Sequence, residues 1–211
     1  MNGKLIVFEG GEGAGKTTQI ENVYRWLQSC LQVSYTVKIT REPGGTALGQ
    51  EIRTLLLGNH TPSDRAELLL YAADRAQHVT QDLKPALTQG CIVLCDRYTD
   101  STIAYQGYGR GIDLQLIAQL NEIATQGLES DLTLWLDVPA EIGLLRAQNR
   151  GKRDRIEQAD LAFHQRVRQG FKFLAQQHPQ RLHHIDAQPP ESQVHQQICS
   201  VLKPVLQPYL K

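Results

Sequence analysis

Excess charge is the first thing missing from this sequence: 22 Lys and Arg face 22 Asp and Glu over 211 residues, a formal net charge of zero. A duplex binder normally carries a basic surplus, so a long-range pull toward nucleic acid or an anionic membrane is excluded. An anionic ligand stays open to the chain, provided it is small and met by a local cluster of cations. Long apolar runs are missing too. The longest candidate, 68–73, falls far short of the ~18 residues of a membrane helix. Near the N-terminus only 5–8 is apolar before Glu9, too short for a secretory leader, and the expected compartment is the cytoplasm. Cysteine is scarce, with four residues. Cys91 and Cys95 share one strand-like run, where four residues span ~13 Å, well beyond the Cα separation of a disulfide. Neither C-x-x-C nor a paired H-x3-H occurs, which removes a structural zinc site. The remainder, 41% hydrophobic and 21% charged, is an ordinary globule able to bury about 70% of its unfolded surface as one domain.

Short apolar runs at 5–9, 34–40, 91–96, 132–137 and 182–186 alternate with longer patterned stretches at 16–31, 48–57, 64–88, 114–126, 140–149, 160–178 and 191–206. The first set predicts strands and the second helices. Strands apolar on both faces, separated by helices, predict an α/β fold: a parallel sheet covered on each side. Asp64 and Glu67 read as a capping box opening the third helix and Gly90 as its stop. Pro139 suits the first turn of the helix after 132–137, where its missing donor costs nothing. The segment NRGKRDR, 149–155, breaks the composition, and its charge and glycine predict a mobile loop.

Gly10-Gly11-Glu12-Gly13-Ala14-Gly15-Lys16-Thr17 fits G-x-x-x-x-G-K-[ST], with a strand before it and a helix after it. Such glycines let successive backbone N–H groups face inward as an anion nest, to which the helix N-terminus adds its positive end. Lys16 would reach the β- and γ-phosphates, and Thr17 would offer its hydroxyl to Mg2+. Roughly one random chain in a hundred of this length contains the pattern, and the strand–helix context lowers that further. A dinucleotide-type G-x-G-x-x-G fits no register. The site is one for a nucleoside triphosphate.

The GTPase signatures D-x-x-G and N-K-x-D are missing, as is the L-S-G-G-Q helix start of transporter ATPases. Asp96-Arg97-Tyr98 follows the third strand instead, at the sheet edge where ligands gather. Asp96 would enter the Mg2+ shell and Arg97 would bridge donor and acceptor phosphates as a fork. The same two residues would equally serve as an ion pair at a strand end. Arg146, Arg150, Lys152, Arg153 and Arg155 crowd one segment, with Arg146 and Arg150 spaced for one helix face. Such a run is either solvated surface or a lid that delivers positive charge to a transferring phosphoryl group. Tyr71 and Arg75 are i,i+4 on the third helix, as are Ser101 and Tyr105 further on. A tyrosine ring can stack on a base and an arginine fork can bond its carbonyls, although each pair alone also suits ordinary packing. Gly107, Gly109 and Gly111 predict a tight turn or a backbone brought close to a ligand.

Together these pieces resemble the thymidylate kinase family nearly end to end. They are FEGGEGAGKTTQ (8–19), TREPGGT (40–46), YAADRAQH (71–78), DRYTDSTIAYQGYGR (96–110), WLDVPAEIGLLRA (135–147) and RDRIE (153–157). The resemblance implies the P-loop nucleoside monophosphate kinase fold, a five-stranded parallel sheet flanked by helices. It implies one domain over 1–211 with a mobile lid at about 149–157, assembled as a homodimer. It also implies transfer of the γ-phosphoryl group of Mg·ATP to dTMP, for dTTP synthesis. The ATP-binding set would then be Gly10, Gly11, Glu12, Gly13, Ala14, Gly15, Lys16, Thr17 and Thr18, with Thr17 and Asp96 toward the metal. On the dTMP side, Glu12 would lie near the sugar 3′-hydroxyl and Arg97, while Tyr71 would stack on thymine. Arg75 would bond the base, and Ser101 and Thr102 would meet its edge. Tyr105 would crowd the 2′ carbon, with Gln106 beside it, and Arg53 would approach the acceptor phosphate. Some members carry an arginine after the P-loop acid. Here Gly13 stands in that place, and with Arg150 and Arg153 it implies the lid-arginine type, whose catalytic cations are Lys16, Arg97, Arg150 and Arg153. Deoxynucleoside kinases share a D-R-[YS] after a strand, so another P-loop nucleoside or nucleoside monophosphate kinase stays open. TREPGG and Glu12 favour the monophosphate enzyme. A plausible dimer face is the apolar helix around 68–73.

Overall fold

The computed structural model describes residues 3–58, 60–149 and 154–211. Five strands, β1 (Lys4–Glu9), β2 (Val37–Arg41), β3 (Ile92–Asp96), β4 (Leu132–Asp137) and β5 (Leu182–Asp186), form one sheet in the order β2-β3-β1-β4-β5. All four pairings are parallel. From β1 the chain crosses to one side of the sheet, and from β3 it crosses back to the other. The crevice between the exits of β1 and β3 is therefore the switch point at which open sheets bind ligands.

Alternate residues of each central strand are buried on opposite faces, which is why these runs are apolar throughout. Ile6 and Phe8 pack with Ile92, Leu94 and Leu134 against α1 (Lys16–Cys30) and α9 (Glu191–Leu206). Leu5, Val7, Val93 and Cys95 face the other way, toward Val79, Leu83 and Tyr98. A third cluster, with Trp135, Tyr105, Phe163 and Phe171, joins β4 to α8 (Leu161–Gln177). Among the described residues no helix is long and apolar enough to cross a membrane, and all four cysteines are free.

Strand and helix positions agree with the pattern along the chain to within a few residues, with three instructive differences. β2 starts at Val37 rather than 34, because Tyr35 closes a turn onto Gln32 O at 3.1 Å. As an edge strand it is only partly buried, which weakens its apolar signal. The predicted third helix is interrupted: α3 (Asp64–His78) passes into a π-turn at Val79–Leu83 before α4 (Lys84–Thr88). Pro85 near the start of α4 has no N–H for the α ladder, so the chain changes register just before it. The cap of α3 is Ser63, whose hydroxyl accepts from Ala66 N at 3.4 Å. Asp64 is already inside, and Glu67 has another role. Gly107 and Gly109 are not turn residues. They lie in a π-helical stretch, Ile103–Gly109, that continues α5 (Thr99–Thr102). A Cβ on Gly109 would come within 2.6 Å of the Phe163 ring, so glycine here allows close packing on α8. Gly111, at φ 77°, makes the turn into α6 (Leu114–Thr125).

Candidate active site

The P-loop needs backbone conformations that only glycine adopts readily. Gly13 has φ 66°, and a Cβ there would lie 2.0 Å from Gly143 O on α7 (Ala140–Gln148). No side chain has room at position 13 in this backbone. α1 opens immediately afterwards, with Gly15 in a left-handed conformation at its start and no side-chain cap. The first helical N–H groups are thus left for an anion. Lys16 is buried and folds back over the loop, donating to Gly10 O at 3.0 Å and Gly11 O at 3.1 Å. Burial and the nearby Arg97 charge push the Lys16 ammonium below its ordinary value, against the pull of Asp96, Glu12 and Glu9.

A cavity of about 230 Å³ runs from this loop to the third helix. One wall carries Glu12 to Thr18. The opposite wall carries Arg53, Tyr71, Arg75, Ser101, Thr102, Tyr105 and Gln106, and Asp96 and Arg97 lie between. With Asp154, Ile156 and Glu157 also lining it, the cavity gathers residues spread over about 145 positions of the chain. Gly10 and Gly11 stand behind it, where their carbonyls hold Lys16. Asp96 offers an oxygen, Oδ1, that is buried without a hydrogen-bond partner among the described residues. Asp137 lies away from the cavity at the end of β4, in a two-pronged pair with Arg168 at 2.7 and 3.0 Å.

Arg97 joins the two walls. Its Nη1 donates to Gly10 O at 3.1 Å and Ser101 Oγ at 3.2 Å, and its Nη2 to Glu12 Oε1 at 2.7 Å. The guanidinium sits 4.8 Å from the Tyr105 ring centre, and the Tyr105 hydroxyl donates to the same Glu12 oxygen at 2.8 Å. Burial pushes the Glu12 carboxyl up, but Arg97, Lys16 and the Tyr105 hydrogen bond outweigh it and bring it down to about 2. Glu12 is therefore charged at neutral pH.

Arg75 is held more tightly than sequence alone suggests. It is buried, with Nε on Glu42 Oε2 at 2.8 Å, Nη1 on Thr102 Oγ1 and Asn121 Oδ1 at 2.9 and 2.8 Å, and Nη2 on Tyr98 O at 3.0 Å. Four of its five N–H groups are committed within the protein, which leaves one for the cavity that it lines. Glu42, from the TREPGG segment, also meets His78 Nδ1 at 2.9 Å, and His78 Nε2 lies 2.7 Å from Thr40 Oγ1. That motif is thus the mount for Arg75. Arg53 in α2 (Ala47–Leu57) donates to Pro43 O at 2.9 Å.

The predicted basic loop divides. Arg146 points away from the cavity, donating to Ala187 O at 2.9 Å and Gln188 O at 3.2 Å. Arg155 pairs with Glu67 and donates to Leu56 O at 3.0 Å. Arg150, Lys152 and Arg153 lie outside the described residues. α7 ends at Gln148, so the expected shared face of Arg146 and Arg150 lies beyond the described helix.

The family model for thymidylate kinase matches residues 8–198. The chain belongs to that family. It is 57% identical to the thymidylate kinase of Acaryochloris marina, with 98% of each chain aligned, and 54% identical to that of Trichormus variabilis over the whole of both. Its fold is similar to the crystal structure of thymidylate kinase from Ehrlichia chaffeensis, at a TM-score of 0.79 and 36% identity over 96% of this chain and all of the other. Four buried acids and amides that hold residues of the site have no site role in the sequence reading. In the sequence Glu9 reads as a strand end and Glu67 as a cap, Glu42 enters only as part of TREPGG, and Asn121 is not singled out. Each is a buried polar group satisfied by residues distant in sequence, a signal that burial supplies and local pattern does not. Glu9 is the clearest case. It is fully buried and accepts from Tyr98 N at 2.8 Å, Ser101 N at 3.0 Å and Ser101 Oγ at 2.6 Å.

Proposed function

We propose that the chain transfers the γ-phosphoryl group of ATP to dTMP, giving dTDP and ADP, with the two nucleotides meeting head to head in this cavity. The observation that carries the reading is the Arg97–Glu12 contact, which places one cation between a phosphate-binding loop and an aromatic–arginine wall fit for a second nucleotide. Lys16 leaves the Gly10 and Gly11 carbonyls to take the β- and γ-phosphates, and the open amides of the loop take the remaining charge. Arg97 bridges donor and acceptor phosphates, Arg53 approaches the acceptor phosphate, and Arg150 and Arg153 add positive charge from the segment at about 149–157. Tyr71 stacks on thymine, the remaining N–H of Arg75 bonds it, and Ser101 and Thr102 meet its edge. Glu12 accepts from the 3′-hydroxyl, and the Tyr105 ring, pinned by its bond to Glu12, leaves little room for a 2′-hydroxyl. Gln106 closes the wall.

Asp96 Oδ1, unpartnered among the described residues, and the Thr17 hydroxyl would hold an Mg2+ ion, which would neutralise phosphate charge. The reaction needs no general base of special pKa, because a phosphate monoester dianion is nucleophilic at neutral pH. Catalysis is then positioning and positive charge. The enzyme works as a homodimer in the cytoplasm. α3 packs between α2 and α6, and these three helices expose Leu48, Leu55, Leu69, Leu116 and Ile123, an apolar surface that suits a second copy.

A coupled ADP-release assay over dTMP, dUMP, CMP, AMP, GMP and thymidine tests the reading. Turnover is expected to be fastest with dTMP. Equal rates on all monophosphates, or turnover of thymidine without dTMP, would reject it. Lys16→Ala is expected to lower kcat by about 10²-fold or more, because the displaced charge acts on the transferring group.

A further inference from the structure

Glu67 is a buried acid that holds Gln106, a residue of the cavity wall, and nothing in the chemistry above uses it. It lies on α3 one turn before Tyr71 and is fully buried. Its Oε1 accepts from Gln106 Nε2 at 2.8 Å and Arg110 Nε at 3.4 Å, and its Oε2 from Arg110 Nη2 at 3.4 Å and from Arg155 Nη2. Burial pushes the carboxyl up, but hydrogen bonds from Arg155 and Gln106, with the Arg110 charge, hold it below the ordinary carboxylate value. Its grip on these donors is therefore charge-assisted.

The donors come from separate segments that share the cavity. Gln106 belongs to its wall, and Arg155 sits between Asp154 and Ile156, which line it along with Glu157. Asp154 Oδ1 accepts from the amides of Ile156 and Glu157 at 2.9 Å each, so 154–157 is a turn braced within itself. Arg155 ties that turn to α2 through Leu56 O at 3.0 Å and to α3 through Glu67. We propose that Glu67 is a positioning residue for phosphoryl transfer, setting Gln106 directly and, through Arg155, the cavity wall 154–157, so that both stand in register against the acceptor. The inference rests on reading the cavity as the dTMP site.

A double-mutant cycle in the full-length enzyme tests it. Glu67→Gln keeps the volume and the bond to Gln106 but removes the charge, and Arg155→Met removes the fork. Each is expected to raise the KM for dTMP about tenfold and the KM for ATP less than about threefold, and the double variant is expected to be no worse than the weaker single one. Arg155→Lys, which keeps the charge without the fork, is expected to fall between wild type and Arg155→Met. Losses that multiply in the double variant, or a lowered Tm with an unchanged KM for dTMP, overturn the proposal. Arg155 is partly exposed, so if Glu67→Gln does not fold, the two Arg155 variants decide: an unchanged KM for dTMP in both overturns it. Hydrogen exchange of the Ile156 and Glu157 amides in substrate-free protein reads the same anchor without turnover, and Arg155→Met is expected to speed it. A wild type inert toward dTMP would reject the functional reading while this exchange effect still stood, whereas unchanged exchange overturns the anchor itself.

Discussion

Arg97 occupies a left-handed backbone conformation, φ 72°, that a residue with a side chain adopts at a cost of about 1–2 kcal/mol. Three hydrogen bonds hold it there: its own N–H to Phe8 O at 3.0 Å, and those of Tyr98 and Ser101 to Glu9 at 2.8 and 3.0 Å. Glu9 and Glu12 flank this turn with opposite titration behaviour. Burial, opposed only in part by the Arg97 charge, lifts Glu9 to about 7, while direct contact with Arg97 helps bring Glu12 down to about 2. The signs of their stability effects differ accordingly. Glu12 stabilises the fold above its ordinary value near 4.5 and loses that contribution as pH falls through about 2. For Glu9 the contribution is full below 4.5 and lost as pH rises through about 7. The unfolding free energy of wild type relative to Glu9→Gln, from urea titration, is therefore expected to fall between pH 4.5 and 7, by an amount on the order of 1–3 kcal/mol. A flat difference over that window would show that Glu9 is already ionised in the fold.

Elements were largely readable because their signals are local. Apolar runs buried on both faces mark the central strands, and Ser63, Asp113 and Asp160 are the residue types that cap helices. What failed at this scale was interruption. The π-turn after His78 and the π-helical stretch carrying Tyr105 and Gln106 have the composition of ordinary helix, and their register is set by what packs on them. Similarly, the seat of the P-loop depends on a glycine far away in sequence. A Cβ on Gly143 would lie 2.3 Å from Glu12 O, so α7 and the loop touch backbone to backbone. Gly143→Ala is expected to displace the loop and raise the KM for ATP about tenfold or more. Because α7 is otherwise content with alanine, a rise in helix stability with unchanged ATP affinity would refute this role.

At the scale of the whole molecule, the exposed Leu69 and Ile123, 57% and 72% accessible, belong to two neighbouring helices. Leu68, one residue earlier, is core, so the apolar stretch 68–73 is split between interior and the candidate dimer face. Leu69→Glu with Ile123→Glu is expected to convert a sedimenting dimer to monomer at micromolar concentration with little loss of monomer fold, since both side chains are solvent-facing in the single chain. Wild type that sediments as a monomer would remove the dimer.

The alternation of strand and helix, the P-loop and the Asp96-Arg97 pair are properties of contiguous residues, each legible because its physics acts over a few positions. Many of the residues named from the ordered motifs also line the cavity, but Arg41, Glu42, Pro43, Leu57, Tyr98, Asp154, Ile156 and Glu157 line it without being named for the site, and Gly10 and Gly11 do not line it. The division of labour among them was not legible. Arg146 and Arg155 have the same chemistry as Arg97 and lie in a more basic segment, yet they bond to Ala187 and Glu67 while Arg97 bridges the cavity. Sequence tells which cations exist. Which of them are spent on buried acids and carbonyls, and which stay available for phosphate, follows from the partners that the strand order brings within hydrogen-bond distance, and that is decided only when the chain is packed.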